Sequence, residues 1–317
     1  MREQVNRRSF LKQSALASAA AVVISFEEQA LLAQAAPAAA PGNAGQAAAS
    51  LPRGKLGKLS VTRLICGGNL ISGFAHSRDL IYVSPLLKHY FSDAKILETL
   101  ALCEKSGINT MILRLDDDTL RVIRAFRQER GGKLQWIAQV KLPEQDRWSE
   151  IKRAIDAGAE GVYIHGGVGD ELVKAGQVEI LGQALEVIKK SGVTAGLAGH
   201  LIEVPMACEK AGLKPDFYMK TFNSKSYWSA GPKERRDNLW EENPQATKAF
   251  MAEVDRPWIA YKVLGAGAIH PREGFAYAFE NGADFLCVGM FDFQVVEDAQ
   301  ICRNALDKIH QRERPWF

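Results

Sequence analysis

Five side chains able to move protons or hold oxyanions each stand directly after an apolar run. Lys141 follows the run 136–140, His165 follows 162–164, His200 follows 193–199, Lys220 follows 217–219 and Lys262 follows 258–261. A lysine ending a buried strand is not what a core needs, because an unpaired ammonium is costly to bury unless its pKa falls or it finds an anion. The three lysines therefore read as a base, or as stabilisers of an enolate or alkoxide. The two histidines read as acid–base partners of a substrate hydroxyl. The structural alternatives are snorkelling at a rim, or pairing with Asp116, Glu144 or Glu203, and for the histidines a satisfied packing role. His165, His200 and Glu203 also form a candidate divalent-metal set, on a weak HxxE spacing.

Other polar or glycine positions share this line-up. Asn69 follows the run 64–67 and Arg114 follows 110–113; both are candidate substrate contacts. Gly289 follows 285–288, and with Gly265 and Gly267 it makes a candidate cradle for a cofactor phosphate. Two connections are too long for simple turns, 70–91 and 221–243. The second carries Asn223, Tyr227 and Trp228 among basic residues, a combination suited to a polyol or sugar face.

Eight apolar runs spaced between about residues 60 and 290, separated by helix-like stretches, predict a single (β/α)8 TIM barrel with its chemistry at the carboxyl ends of the strands. A doubly wound α/β sheet is the alternative. Strand side chains alternate in direction. Gln139 and Ile137 should share the side of Lys141, and Ala198, Gly196 and Thr194 that of His200. Lys220 and Lys262 should also face inward. Helices are expected over 94–105 behind Ser92 or Asp93, over 119–129 behind Asp118, and over 146–157, 171–190 and 203–210. Two more are expected, from Pro271 to about 280 and over 294–311. The phrases KSGINTMILR, DAGAEGVYIH and ENGADFLCVG repeat one cadence of helix end, glycine turn and strand.

The chain has 317 residues, 47% of them hydrophobic, and a net charge of +3 from 40 basic and 37 acidic residues. That balance gives no electrostatic case for nucleic acid or a membrane surface. None of the five cysteines has CxxC or CxxH spacing. Cys66 and Cys287 fall on strands that become neighbours when the barrel closes, either as a bonded pair or as two buried thiols. GxSxG, Walker, HExxH and paired glycosidase carboxylate patterns do not occur.

Residues 6–12, Asn-Arg-Arg-Ser-Phe-Leu-Lys, resemble a twin-arginine export signal. An apolar stretch over 15–24 follows, too short to cross a bilayer of about 30 Å. Ala33-Gln34-Ala35 resembles a cleavage site. The resemblance implies a signal peptide over 1–35 and passage through the Tat translocon to the periplasm. It also implies no permanent membrane span after cleavage. Residues 36–50 then read as an Ala/Pro/Gly linker, and 51–317 as the barrel.

Residues 51–310 resemble, distantly, the aldo/keto reductases. The likeness is carried by 56–64, Gly107-Ile108-Asn109, Val162-Tyr163-Ile164-His165, Gly199-His200 with Glu203-Val204, 262–267 and Val288-Gly289-Met290. That family's reaction implies a tyrosine proton donor tuned by a lysine, an aspartate and a histidine, with a nicotinamide cofactor. His165 fits the histidine and Lys141 the lysine. Ile112 stands where the acid would be, and Tyr82 or Tyr90 is left to replace the tyrosine. The segment 289–293 has no basic residue for the cofactor's extra phosphate. Two readings follow. One is an exported oxidoreductase acting on a carbonyl or hydroxyl of a sugar-like molecule with tightly held NAD(P). The other is a non-redox lyase, epimerase or hydrolase of an oxidised sugar, using the Lys/His ring with or without a metal.

Overall fold

The computed structural model describes residues 50–75, 80–226 and 241–317. Two short strands, β1 (Arg53–Leu56) and β2 (Leu59–Thr62), form an antiparallel hairpin. Eight parallel strands follow: β3 (Leu64–Gly67), β4 (Thr110–Arg114), β5 (Gln135–Val140), β6 (Gly161–Ile164), β7 (Thr194–Gly199), β8 (Phe217–Thr221), β9 (Trp258–Tyr261) and β10 (Phe285–Val288). They close in sequence order, β10 pairing with β3. The protein is a single (β/α)8 barrel.

Two apolar layers follow from strand alternation. Ile65, Ile112, Ile137, Tyr163, Ala198, Phe217, Met219, Ile259 and Phe285 fill the inside of the barrel. The opposite faces, including Met111, Trp136, Val162, Leu197, Tyr218 and Leu286, pack beneath the helices. Leu56 and Val61 of the hairpin join the inner cluster. Thr194 Oγ1 donates to Leu56 O, and Asn109 and Gln135 side-chain amides donate to Ser60 O. The hairpin thus plugs the amino end, leaving the carboxyl ends of the strands as the mouth.

The helices are α1 (Val83–Tyr90), α2 (Asp93–Lys105), α3 (Asp117–Glu129), α4 (Ser149–Asp156), α5 (Gly166–Lys174), α6 (Val178–Lys190), α7 (Glu203–Lys210), α8 (Pro244–Glu253), α9 (Pro271–Glu280) and α10 (Asp292–Lys308). Ser92 caps α2 as expected. Asp116, not Asp118, caps α3: its Oδ1 accepts from Thr119 N at 2.7 Å. The helix expected over 171–190 is two helices. Gly176, at φ +71°, takes a left-handed turn that no helix continues through, so α5 ends and α6 starts afresh.

Beneath the barrel, Asp284 is fully buried and accepts Arg314 Nη1 at 2.6 Å and Arg312 Nη2 at 3.3 Å. All five cysteines are free. Cys66 pairs across with Val288 and packs outward, while Cys287 pairs with Ile65 and packs inward, so the two thiols point to opposite faces. Among the described residues no helix is long and apolar enough to cross a membrane.

Candidate active site

The mouth is built by alternation continued one step past each strand. Ile137, Gln139 and then Lys141 lie on one side of β5. Gln139 Nε2 donates to the Tyr163 hydroxyl at 2.7 Å across β5–β6. Above Tyr163, His165 ends β6 and His200 ends β7. Their ring centroids are 6.4 Å apart.

His165 is the N-cap of α5, and its Nδ1 accepts the Gly167 amide at 3.1 Å. An imidazole accepting at Nδ1 carries its proton on Nε2. Burial, with His200 and Lys141 nearby, lowers its pKa to about 4; Asp170 opposes the shift and Arg114 adds to it. At neutral pH His165 is therefore an uncharged donor through Nε2.

His200 is arranged in the opposite sense. Its Nδ1 lies 2.7 Å from Asp170 Oδ2. The other oxygen of Asp170 accepts the backbone amides of His200 at 2.9 Å and Leu201 at 3.1 Å. A carboxylate gathering amide donors is an acceptor, so His200 donates from Nδ1, and in its neutral form Nε2 holds a lone pair. Asp170 lies in the second turn of α5, five residues after His165. It was missed because the sequence was read for groups at strand ends.

Tyr261 is a second missed residue, counted as the apolar end of a run. Its ring packs against the inner cluster and lies 5.6 Å from the His200 ring. Its hydroxyl is buried with no hydrogen-bond partner among the described residues. Burial pushes this phenol well above its ordinary pKa, and Asp170 adds to the shift. A methyl group on Gly166 would lie 2.7 Å from that hydroxyl and 3.2 Å from His200 Cε1, so only glycine lets α5 start against both rings.

Lys220 does not face the mouth. In β8 the inner residues are Phe217 and Met219, and Lys220 follows Tyr218 on the outer face. It is 1% exposed, and its ammonium lies 3.0 Å from Glu241 Oε2 and 2.8 Å from Thr221 O. Burial lowers its pKa and Glu241 opposes the shift. At Lys262 the alternation stops: its φ is +58°, and its carbonyl accepts Asn223 Nδ2 at 3.3 Å. Asn223 is buried, and its Oδ1 accepts Lys225 N, so both ends of this amide tie the loop together.

Arg114 ends β4 beside Gln139. Its Nε lies 2.9 Å from Asp116 Oδ2, and its guanidinium stacks 4.0 Å from the Phe74 ring centroid. Asn69 is exposed in the turn after β3, where its carbonyl accepts the amides of Phe74 and Ala75. Tyr82 is exposed as the N-cap residue of α1, and the Tyr90 hydroxyl donates to Asp292. Tyr227 and Trp228 lie outside the described residues. Among the described residues no three His, Cys, Asp or Glu side chains group to hold a metal, and Glu203 is exposed in the first turn of α7.

The glycine cradle does not fit a cofactor phosphate. Gly265 N and Gly267 N donate within their own turn, to Lys262 O and Leu264 O. Gly289 packs on Leu70. At the start of α10, Gln294 Oε1 takes the Phe291 amide, and Asp292 places a carboxylate that pairs with Lys95 at 2.8 Å. The Gly265 and Gly267 amides are spent, and Asp292 gives the local charge the wrong sign. A hollow of about 490 Å³ lies elsewhere, lined by Leu185, Lys189 and Leu213, and gathers none of the converging groups above.

No family model matches this chain, and no curated protein sequence matches it. Solved structures share its barrel. Two from Pseudomonas aeruginosa, provisionally named aldo-keto reductases, superpose with a TM-score of 0.58. One is 18% identical, covering 80% of this chain and 94% of its own. The other is 17% identical, covering 83% and 100%. A truncated 3-deoxy-D-arabino-heptulosonate 7-phosphate synthase from Thermotoga maritima gives 0.52 at 12% identity, over 83% of this chain and 95% of its own. At such identities the shared property is the fold, which hosts many unrelated activities.

Proposed function

We propose that this barrel is a non-redox acid–base enzyme, a lyase, epimerase or hydrolase, acting at a carbonyl or hydroxyl carbon of a sugar-like small molecule. One observation carries the reading: on neighbouring strands His165 Nδ1 faces a backbone amide and His200 Nδ1 faces a carboxylate, which assigns the two rings opposite tautomers. The neutral His165 Nε2–H donates to a carbonyl oxygen and stabilises the charge that develops there. His200 Nε2 takes a proton from the adjacent carbon or hydroxyl, and Asp170 holds the resulting imidazolium in place. Arg114 and Lys141 supply positive charge beside them. The test is hydrogen exchange at carbon in deuterated water, followed by NMR across aldoses, ketoses and sugar acids. His200→Ala and His165→Ala should each slow exchange on the accepted substrate at least 100-fold; full exchange in both variants would sink the reading.

A second reading, hydride transfer at the same carbon, is favoured by the barrel shared with the provisionally named reductases and by His165 at that family's histidine position. Mass spectrometry of nucleotide retained by the purified folded protein decides between them. We also propose export by the twin-arginine route, on the strength of residues 6–12, which lie outside the described residues. Retention of an Arg7→Lys, Arg8→Lys variant inside the cell supports it; unchanged export overturns it.

A further inference from the structure

We propose that the substrate is a hydroxy or keto acid whose carboxylate lies between Arg114 and Lys141 while its neighbouring oxygen-bearing carbon meets His165 and His200. This rests on the acid–base reading of the two histidines and adds the class of molecule.

The argument begins with register. Arg114 pairs across β4–β5 with Gln139, and Lys141 comes two residues further along β5. His165 N donates to Val140 O, so Lys141 and His165 stand beside each other on adjacent strands. The two cations and two histidines thus occupy four consecutive strands, β4 to β7, each about 4.8 Å from the next.

The carboxylates at this end of the mouth are engaged by other groups, Glu150 Oε2 among them accepting the Lys141 amide at 2.7 Å. Asp116 Oδ2 lies 2.9 Å from Arg114 Nε, an ion pair without hydrogen-bond geometry, and its other oxygen is committed to the Thr119 amide. Asp170 is committed to His200 and two amides. Among the described residues the guanidinium of Arg114 forms no other ion pair, and the Lys141 ammonium forms none. The outer nitrogens of Arg114 and the Lys141 ammonium therefore remain to take a ligand's anion next to His165. Arg114 is also already oriented: the Phe74 ring and Asp116 fix the plane of its fork, and a fixed fork receives a carboxylate through two parallel hydrogen bonds.

The spacing favours a carboxylate attached directly to the reacting carbon. Lys141 stands one strand from His165 and Arg114 two, so an anion held between the cations lies next to the carbon that meets His165. A sugar's terminal phosphate is several carbons away. In the turns after β9 and β10, where a distant phosphate would be sought, the Gly265 and Gly267 amides are spent and Asp292 adds negative charge.

Calorimetry on the purified full chain tests this with four probes: D-gluconate, D-glucuronate, D-glucose and D-glucose 6-phosphate. At least one acid should bind ten-fold or more tightly than glucose. Arg114→Gln should weaken that binding at least ten-fold, and Lys141→Met several-fold. Lys141 is exposed and outside any ion pair among the described residues, so its variant keeps the fold even where Arg114→Gln does not. Equal binding of glucose, acid binding indifferent to both substitutions, preference for the phosphate, or no binding of either acid each overturns the proposal. Acid binding that persists while His200→Ala leaves carbon exchange untouched would instead remove the acid–base reading and leave the anion site standing.

Discussion

His165 and His200 stand on adjacent strands with Nδ1 atoms engaged in opposite roles, one accepting the Gly167 amide and the other facing the Asp170 carboxylate. A single helix, α5, imposes both. Its amino terminus supplies the amide, and its second turn supplies the acid. The pair therefore offers a donor and an acceptor side by side before any ligand arrives, and their exchange would require α5 to move.

His165 should remain neutral, with its proton on Nε2, down to about pH 4. Because its native pKa lies below the unfolded value of about 6.5, the unfolded chain binds the extra proton first. Stability is then lost as pH falls from about 6.5 to about 4. Nitrogen-15 imidazole spectra across that range check this; protonation near pH 6.5 would contradict it.

Asp298 should act with the opposite sign. It is 3% exposed on α10, and burial, helped by Glu297, raises its pKa to about 7. The native state holds a proton that the unfolded chain has released, so stability falls as pH rises from about 4 to about 7 and then levels off. The full effect is roughly 4 kcal/mol at about 1.4 kcal/mol per pH unit. Urea unfolding at several pH values should show Asp298→Asn flattening this decline.

Lys220→Met should damage stability. It strands Glu241, which is 3% exposed and otherwise accepts from Asn243 N and Thr247 Oγ1. Removing one partner of a buried pair costs about 3–5 kcal/mol. The double variant Lys220→Met, Glu241→Leu should recover much of the loss. A single variant as stable as the wild type would show that the pair contributes nothing.

Tyr261→Phe should leave stability unchanged or raise it by up to about 1 kcal/mol, because the hydroxyl it removes is buried without a partner among the described residues. Chemical denaturation measures this. A loss above about 1 kcal/mol would mean that the phenol is hydrogen-bonded in solution.

The barrel was legible because its eight buried strands are the apolar runs of the sequence, and glycine turns and caps punctuate the helices between them. Parity was less legible. Both faces of a parallel strand are apolar, so nothing in the run 217–219 says which face Lys220 takes; one residue decides it. Asp170 was hidden for a different reason. A carboxylate in a helix reads as a solvated face until the fold turns that helix back over β7. Tyr261 was hidden by its own hydrophobicity, its ring serving the core while its oxygen reaches the site. The distant family resemblance pointed to His165 and Lys141, but the residues completing this site, Asp170 and Tyr261, stand at places that pattern does not use.

The hairpin formed by β1 and β2 leaves the barrel one doorway. Whatever enters must depart past the same threshold, at the carboxyl ends of the strands. Traffic in both directions is then set by the same rim, so changes at Asn69 or Arg114 should alter capture and release together.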